Sequence, residues 1–166
     1  MLRRGGIAVL MVFLASLWGC APLAPQDSRE VILEPAPLDA GGGAVVVVEK
    51  VILSPSQLEV YLAYRNPGQP PVRIGFSPDL LKAHVEEYRW DFDGSVPEVN
   101  ESYVLAGGEQ RSFVVRYTGE PSNVDPFSVS SLKVWLPGAR QMSFRDALQP
   151  GPVRPIEVEI PLRTEE

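Results

Sequence analysis

From residue 44 onward the chain alternates apolar and polar side chains with a period of two. Leu58, Val60, Leu62 and Tyr64 interleave with Glu59, Tyr61, Ala63 and Arg65. Asn66-Pro67-Gly68 then breaks the run, which is the pattern of a half-buried strand ending in a turn. The alternation recurs at Val72, Ile74 and Phe76, at Phe113, Val115 and Tyr117, at Leu132, Val134 and Leu136, and at Ile156, Val158 and Ile160. Ala44 to Leu53 is more uniformly apolar, as a central strand would be. Gly and Pro clusters separate these runs, among them Asp93-Gly94, Gly107-Gly108, Pro137-Gly138 and Pro150 to Pro155. Short strands punctuated in this way predict an all-β antiparallel sandwich of about seven strands.

One segment reads two ways. Ser77-Pro78 offers an N-cap and a first-turn proline, and Leu81, His84, Val85 and Tyr88 follow at helical spacing, so a short helix is expected near 78–88. His84, Glu86, Tyr88, Trp90 and Phe92 also alternate at strand spacing, and the expectation is helix or turn first, then strand from about Tyr88.

The N-terminus follows a different rule. Arg3 and Arg4 precede an apolar run from Ile7 to Trp18, and small Gly19 stands before Cys20, the order of an export signal. The run falls short of the roughly 18 to 20 residues that a membrane-spanning helix needs. Leu17-Trp18-Gly19-Cys20 resembles the lipobox of bacterial lipoproteins, with Leu17, Gly19 and Cys20 fitting and Trp18 larger than the family's usual residue. The resemblance implies a signal peptide over 1–19 and a covalent lipid on Cys20. Each buried methylene adds about 0.8 kcal/mol, so two or three acyl chains would anchor the protein firmly in a bilayer. An ordinary signal peptide cut nearby, leaving a free thiol, is the alternative. Ala21 follows Cys20 where many inner-membrane lipoproteins carry Asp, and by that resemblance the outer membrane is favoured in a two-membrane cell.

Residues 20–43 hold Pro22, Pro25, Pro35, Pro37 and the triplet Gly41-Gly42-Gly43, which reads as a flexible tether. Its one apolar patch, Val31-Ile32-Leu33, alternatively pairs as an edge strand, because Pro35 and Pro37 allow edge pairing and stop it spreading. The sandwich is then expected over 44–162 and a disordered tail over 163–166.

The order of features within that domain resembles the immunoglobulin-like domains of small bacterial lipoproteins of the DUF4352 type. The residues concerned are Val47 to Leu53, then Leu58 to Asn66 with its strand-terminal Asn, then Leu105-Ala106-Gly107-Gly108-Glu109 before Phe113 to Tyr117. The resemblance implies an immunoglobulin-like sandwich that binds or scaffolds, and it brings no catalytic residue with it.

Composition narrows the chemistry further. Among 166 residues there are 15 basic and 21 acidic side chains, for a formal charge of −6, with one His and one Cys. The acidic balance argues against a nucleic-acid partner, and a lone His with a lone Cys leaves little for zinc, haem or redox chemistry. No cofactor is expected beyond the lipid on Cys20.

Each candidate motif has a plainer reading. Asp91, Asp93, Glu98 and Glu101 crowd carboxylates that suit calcium, but the EF-hand spacing is not met, and a solvated acidic loop is the preferred reading, with no metal expected. Ser130-Ser131-Leu132-Lys133 matches S-x-x-K, yet it lies in a strand pattern where residues three apart face opposite sides. His84 has no second ligand or nucleophile beside it in the sequence pattern. Tyr61 and Trp135 fall on the outward side of their strands, and with Arg65 and Lys133 they would make an aromatic and basic interaction patch. The expected function is therefore a non-catalytic, membrane-anchored envelope lipoprotein that binds or scaffolds another envelope protein through this patch or an edge strand. A protease-inhibitor loop near Gly119 to Pro126, a small-ligand-binding lipoprotein and an unrecognised envelope enzyme are the alternatives.

Overall fold

The computed structural model describes residues 27–95, 101–120, 123–144 and 151–162. The lipobox with Cys20, the acidic Glu98 and the tail 163–166 lie outside the described residues.

The described chain is an all-β antiparallel sandwich with twelve strands, more than the seven or so expected. They are β1 (Arg29–Ile32), β2 (Pro37–Gly41), β3 (Ala44–Ser54), β4 (Gln57–Arg65), β5 (Val72–Gly75), β6 (Lys82–Val85), β7 (Tyr88–Phe92), β8 (Ser102–Leu105), β9 (Gln110–Thr118), β10 (Ser131–Leu136), β11 (Ala139–Gln141) and β12 (Ile156–Pro161). The large sheet runs β1-β3-β4-β9-β7-β6-β10-β12, with β2 also on β3, and a small sheet runs β11-β5-β8.

The alternating positions face inward as the pattern requires. Leu58, Val60, Leu62 and Tyr64 of β4 are fully buried, as are Val115 and Tyr117 of β9 and Val134 and Leu136 of β10. Burial of each such aliphatic side chain contributes about 1.5–3 kcal/mol, and together they form one core cluster with Ile74, Phe76 and Trp90. Phe113 anchors an aromatic group, with ring centroids 5.2 Å from Phe76, 5.3 Å from Tyr103 and 5.8 Å from Tyr64.

β3 explains why its sequence looks uniformly apolar. Its pairing with β4 shifts between Val48 and Lys50. This bulge restores the inward phase, so that Val46 and Val48 before it and Val51 and Leu53 after it all reach the core.

Two expectations change. The tether assigned to 20–43 contains β1 and β2, both paired to β3, so the edge-strand reading of Val31–Leu33 holds and extends to Gly41. Gly41, Gly42 and Gly43, with φ of +94°, +63° and +86°, make the tight β2–β3 hairpin rather than a flexible joint. The helix expected near 78–88 is absent among the described residues. Ser77 to Leu81 is one turn, with Leu80 N–H and Leu81 N–H donating to the Ser77 carbonyl. β6 and β7 then form a hairpin with Val85 opposite Tyr88. Its two-residue turn places Glu86 at φ +56°, a left-handed conformation that a non-glycine residue seldom adopts.

Candidate functional site

Among the described residues the terminal strands of the large sheet, β1 and β12, each pair on one side only. Arg29 brings their ends together: its guanidinium donates to the carbonyl of Leu162, just past β12, and to those of Val129 at 3.0 Å and Pro126 at 3.4 Å. Beyond this clasp both strands line a groove of about 540 Å³. Val31, Leu33, Leu38, Val48, Val158 and Ile160 supply its apolar lining, and Glu34 and Glu159 also border it. Ile32, at the same place, is 78% exposed.

Hydrogen-bond phase shows which backbone groups face this seam. Leu162 N–H donates to the Ser130 carbonyl, and the register continues with Leu132 opposite Ile160 and Val134 opposite Val158. Hydrogen-bonded pairs alternate along an antiparallel ladder, so Glu157, Glu159 and Pro161 turn their backbone groups to the open edge. Pro161 has no N–H to lose there, which is where proline is tolerated in a sheet. Leu33 N–H likewise donates to the Glu49 carbonyl, which leaves Glu30 and Ile32 facing the seam from β1.

The four residues expected to form one patch divide into separate sites. Tyr61 on β4 and Trp135 on β10 are four strand steps apart, or roughly 19 Å along the sheet. The joint between the two limbs, β7 with β9, has only Asp91 opposite Thr118 and Phe92 opposite Tyr117. Tyr61 is half-buried under the Lys50 ammonium, 4.4 Å from its ring centroid, and donates to Glu59 at 3.3 Å. Burial, then the Glu59 carboxylate, raise its hydroxyl pKa above the ordinary value. Arg65 is exposed at the end of β4. Trp135 is half-buried on the outer face, with the ammonium groups of Lys82 at 4.5 Å and Lys133 at 5.2 Å and the His84 ring at 5.1 Å. Lys133 is also paired with Glu157 at 2.5 Å.

The acidic candidates are dispersed too. Asp91 pairs with Arg89 at 2.9 Å. Asp93 accepts from Ser95 N–H at 3.0 Å and lies 3.6 Å from Arg116. The Ser95 hydrogen bonds, then the Arg116 charge, hold its carboxyl below the usual range. Glu101 lines a different cavity with Arg73, Ser77 and Ser102. Among the described residues no group of three or more His, Cys, Asp or Glu is placed to hold a metal ion.

Of the S-x-x-K residues, Lys133 is engaged with Glu157. Ser130, Ser131 and Lys133 line one pocket with His84, Glu86 and Ser128, so the motif's ends are not parted by the sheet as the strand pattern suggested, because Ser130 lies just before β10. The Ser128 hydroxyl there donates to the Asp125 carbonyl at 2.8 Å. The loop from Gly119 to Pro126 is described only in part, residues 121 and 122 lying outside the described residues.

Two features escaped the sequence pattern. One is the seam, whose only signals were Pro35, Pro37 and Pro161 beside short apolar runs. The other is Arg73, which sits between Val72 and Ile74 in the middle strand of the small sheet and is only 6% exposed. It donates to the Gly151 carbonyl, while its buried Nε has no hydrogen-bond partner among the described residues.

No protein family and no curated protein sequence matches the chain. A solved structure of a functionally unknown protein from Listeria monocytogenes EGD-e is similar to it at 9% identity and a TM-score of 0.49, covering 81% of this chain and 84% of that one.

Proposed function

We propose that this chain is a lipid-anchored, non-catalytic β-sandwich of the bacterial cell envelope that binds or scaffolds another envelope component. The observation that carries the reading is the seam, where two sheet edges whose backbone groups are unpaired among the described residues flank one apolar groove. Sheet edges of this kind accept an extended chain by strand addition, with main-chain hydrogen bonds supplying affinity and side-chain pockets supplying selectivity. The anchor rests on the lipobox resemblance at Leu17 to Cys20, and the outer membrane is the preferred location on the same footing. The separation of Tyr61 from Trp135 moves the weight from the aromatic face to the edge strands.

Cross-linking the intact anchored protein in its own membrane, against a Cys20→Ser control, tests both halves. A stoichiometric envelope partner is expected, together with accumulation of the unprocessed precursor in the control. Normal maturation and lipid labelling of Cys20→Ser would refute the anchor, and a folded, anchored chain without a stoichiometric partner would refute scaffolding.

A second reading, binding of a small anionic ligand, has one observation in its favour. Arg73 lines a cavity of about 440 Å³ together with Ser77, Ser102 and the acidic Glu101, and a buried guanidinium whose Nε has no partner among the described residues favours an anion. Acetate and inorganic phosphate should then raise the melting temperature saturably in the wild type and have no effect in Arg73→Met. Equal responses in the two proteins would remove this reading.

A further inference from the structure

Strand addition at the seam leaves its occupant unspecified. Resting on that binding reading, we infer that the seam takes an extended segment of a different protein, with Lys or Arg at alternate positions and apolar side chains between them.

The backbone requirement comes from the ladder phase. Glu30 and Ile32 on one side, and Glu157 and Glu159 on the other, direct N–H and C=O groups into the gap, with a further carbonyl from Pro161. The two strands run antiparallel along this gap, because an all-antiparallel sheet of eight strands in series ends in opposed directions. An incoming strand therefore pairs antiparallel with one edge and parallel with the other. Strand addition requires an extended ligand, since a helix satisfies its own backbone groups.

Side-chain chemistry is set by the two faces of such a strand. Successive side chains point to opposite faces. One set meets Val31, Leu33, Val158 and Ile160 in the groove, and the other meets the acidic rim. Glu30 is met by Lys50 at 3.5 Å and Glu157 by Lys133 at 2.5 Å. Glu34 and Glu159 have no counter-ion among the described residues. Charge complementarity then selects a basic outer row, and like charges directly opposed across strands disfavour an acidic one.

The same rim disfavours a second copy of this chain. A partner protomer would present Glu157 and Glu159 from its own β12, or Glu30 and Glu34 from its own β1, to carboxylates already in place. Charged side chains and proline on edge strands block self-pairing in this way. They leave an oppositely charged strand as the admissible guest.

The test places a photo-cross-linking side chain at Ile32, at Tyr61 or at Trp135 in the full anchored chain in its native membrane, and sequences the adducts. The expected result is an adduct from Ile32 whose linked peptide belongs to another protein and carries Lys or Arg at every second position. The double reversal Glu34→Lys with Glu159→Lys should lower its yield on the order of threefold to tenfold, as two partly exposed ion pairs imply. Glu159→Pro should lower the yield further than Glu159→Gln, because the Glu159 N–H faces the gap and its loss leaves the β10 ladder intact. A circular dichroism spectrum checks that each variant folds.

Adducts from Tyr61 or Trp135 with none from Ile32 would overturn the seam and leave the binding reading standing. No adduct from any of the three would remove both. An Ile32 adduct with a second copy, with this chain's own N-terminal segment, or with a segment lacking the alternate basic residues would overturn the inference, as would a yield unmoved by the double reversal.

Discussion

The Tyr64 hydroxyl donates a 2.5 Å hydrogen bond to the Pro137 carbonyl, fastening β4 to the short link through which the chain passes from β10 of the large sheet to β11 of the small one. Tyr64 is fully buried, so no solvent replaces that bond. Tyr64→Phe keeps the ring packed edge-on against Phe113 and strands one carbonyl. The expected loss is about 1–2 kcal/mol, read as a lower urea midpoint with an unchanged slope. A midpoint within error of the wild type would show that the link is held by packing alone.

Alkaline stability depends on the same residue and its neighbour. Tyr117 is also buried and donates to the Trp135 carbonyl at 2.8 Å, joining β9 to β10. Burial pushes both hydroxyls far above the ordinary tyrosine value. A raised pKa means that the unfolded chain loses these protons first. Their contribution is therefore fully present below about pH 10, the unfolded value, and is lost progressively as pH rises above it. Unfolding free energy should fall above pH 10 with a slope that the double variant Tyr64→Phe, Tyr117→Phe reduces. An unchanged slope in the double variant would assign alkaline sensitivity to other groups.

In acid one of the groups that matters, alongside Asp93, is Glu109, at the turn leading into β9. Its carboxylate accepts from Ala106 N–H at 2.8 Å and from the Tyr103 hydroxyl at 2.9 Å. Those bonds, the backbone one foremost, hold its pKa below the ordinary carboxylate value. The sign is opposite to that of the tyrosines: the stabilisation is present above the unfolded value of about 4.3 and disappears as pH falls through the lower folded value. Glu109→Gln should destabilise at pH 7 and narrow its deficit toward pH 3. A deficit independent of pH would point to lost packing instead.

How much of this was legible in the sequence differs by element. β4, β9 and β10 each bury one face and, Ala63 apart, leave the other half-buried or exposed, so alternation alone located them. β1 and β2 were masked by Pro35, Pro37 and three glycines, whose composition is the same in a tether and in an edge hairpin. What decides between them is pairing with β3, a contact that local pattern does not encode. The segment after Pro78 misled for a related reason. Leu81, Val85 and Tyr88 fit helical spacing, and the β6–β7 turn uses Glu86 and Glu87 instead of the Asn-Gly or Asp-Gly pairs that announce a hairpin. Tyr61 and Trp135 were correctly placed on outward faces, but their separation depends on strand order. The seam depends on it as well, because an edge is defined by the neighbour that a strand lacks.

A close approach at the end of β9 gives a final expectation. A Cβ placed on Gly119 would fall within the indole ring of Trp90, which has no exposed surface. The ring cannot retreat without displacing core neighbours, so Gly119→Ala should cost about 1–3 kcal/mol through overpacking. Trp90 Nε1 is buried with no hydrogen-bond partner among the described residues. Exchanging the indole for the smaller phenyl ring thus removes an unsatisfied donor while making room. In a Trp90→Phe background the alanine should therefore cost less, giving a coupling energy of about 0.5–3 kcal/mol in a double-mutant cycle measured by urea unfolding. Strict additivity of the two substitutions would mean that the backbone at Gly119, rather than contact with Trp90, sets the preference for glycine.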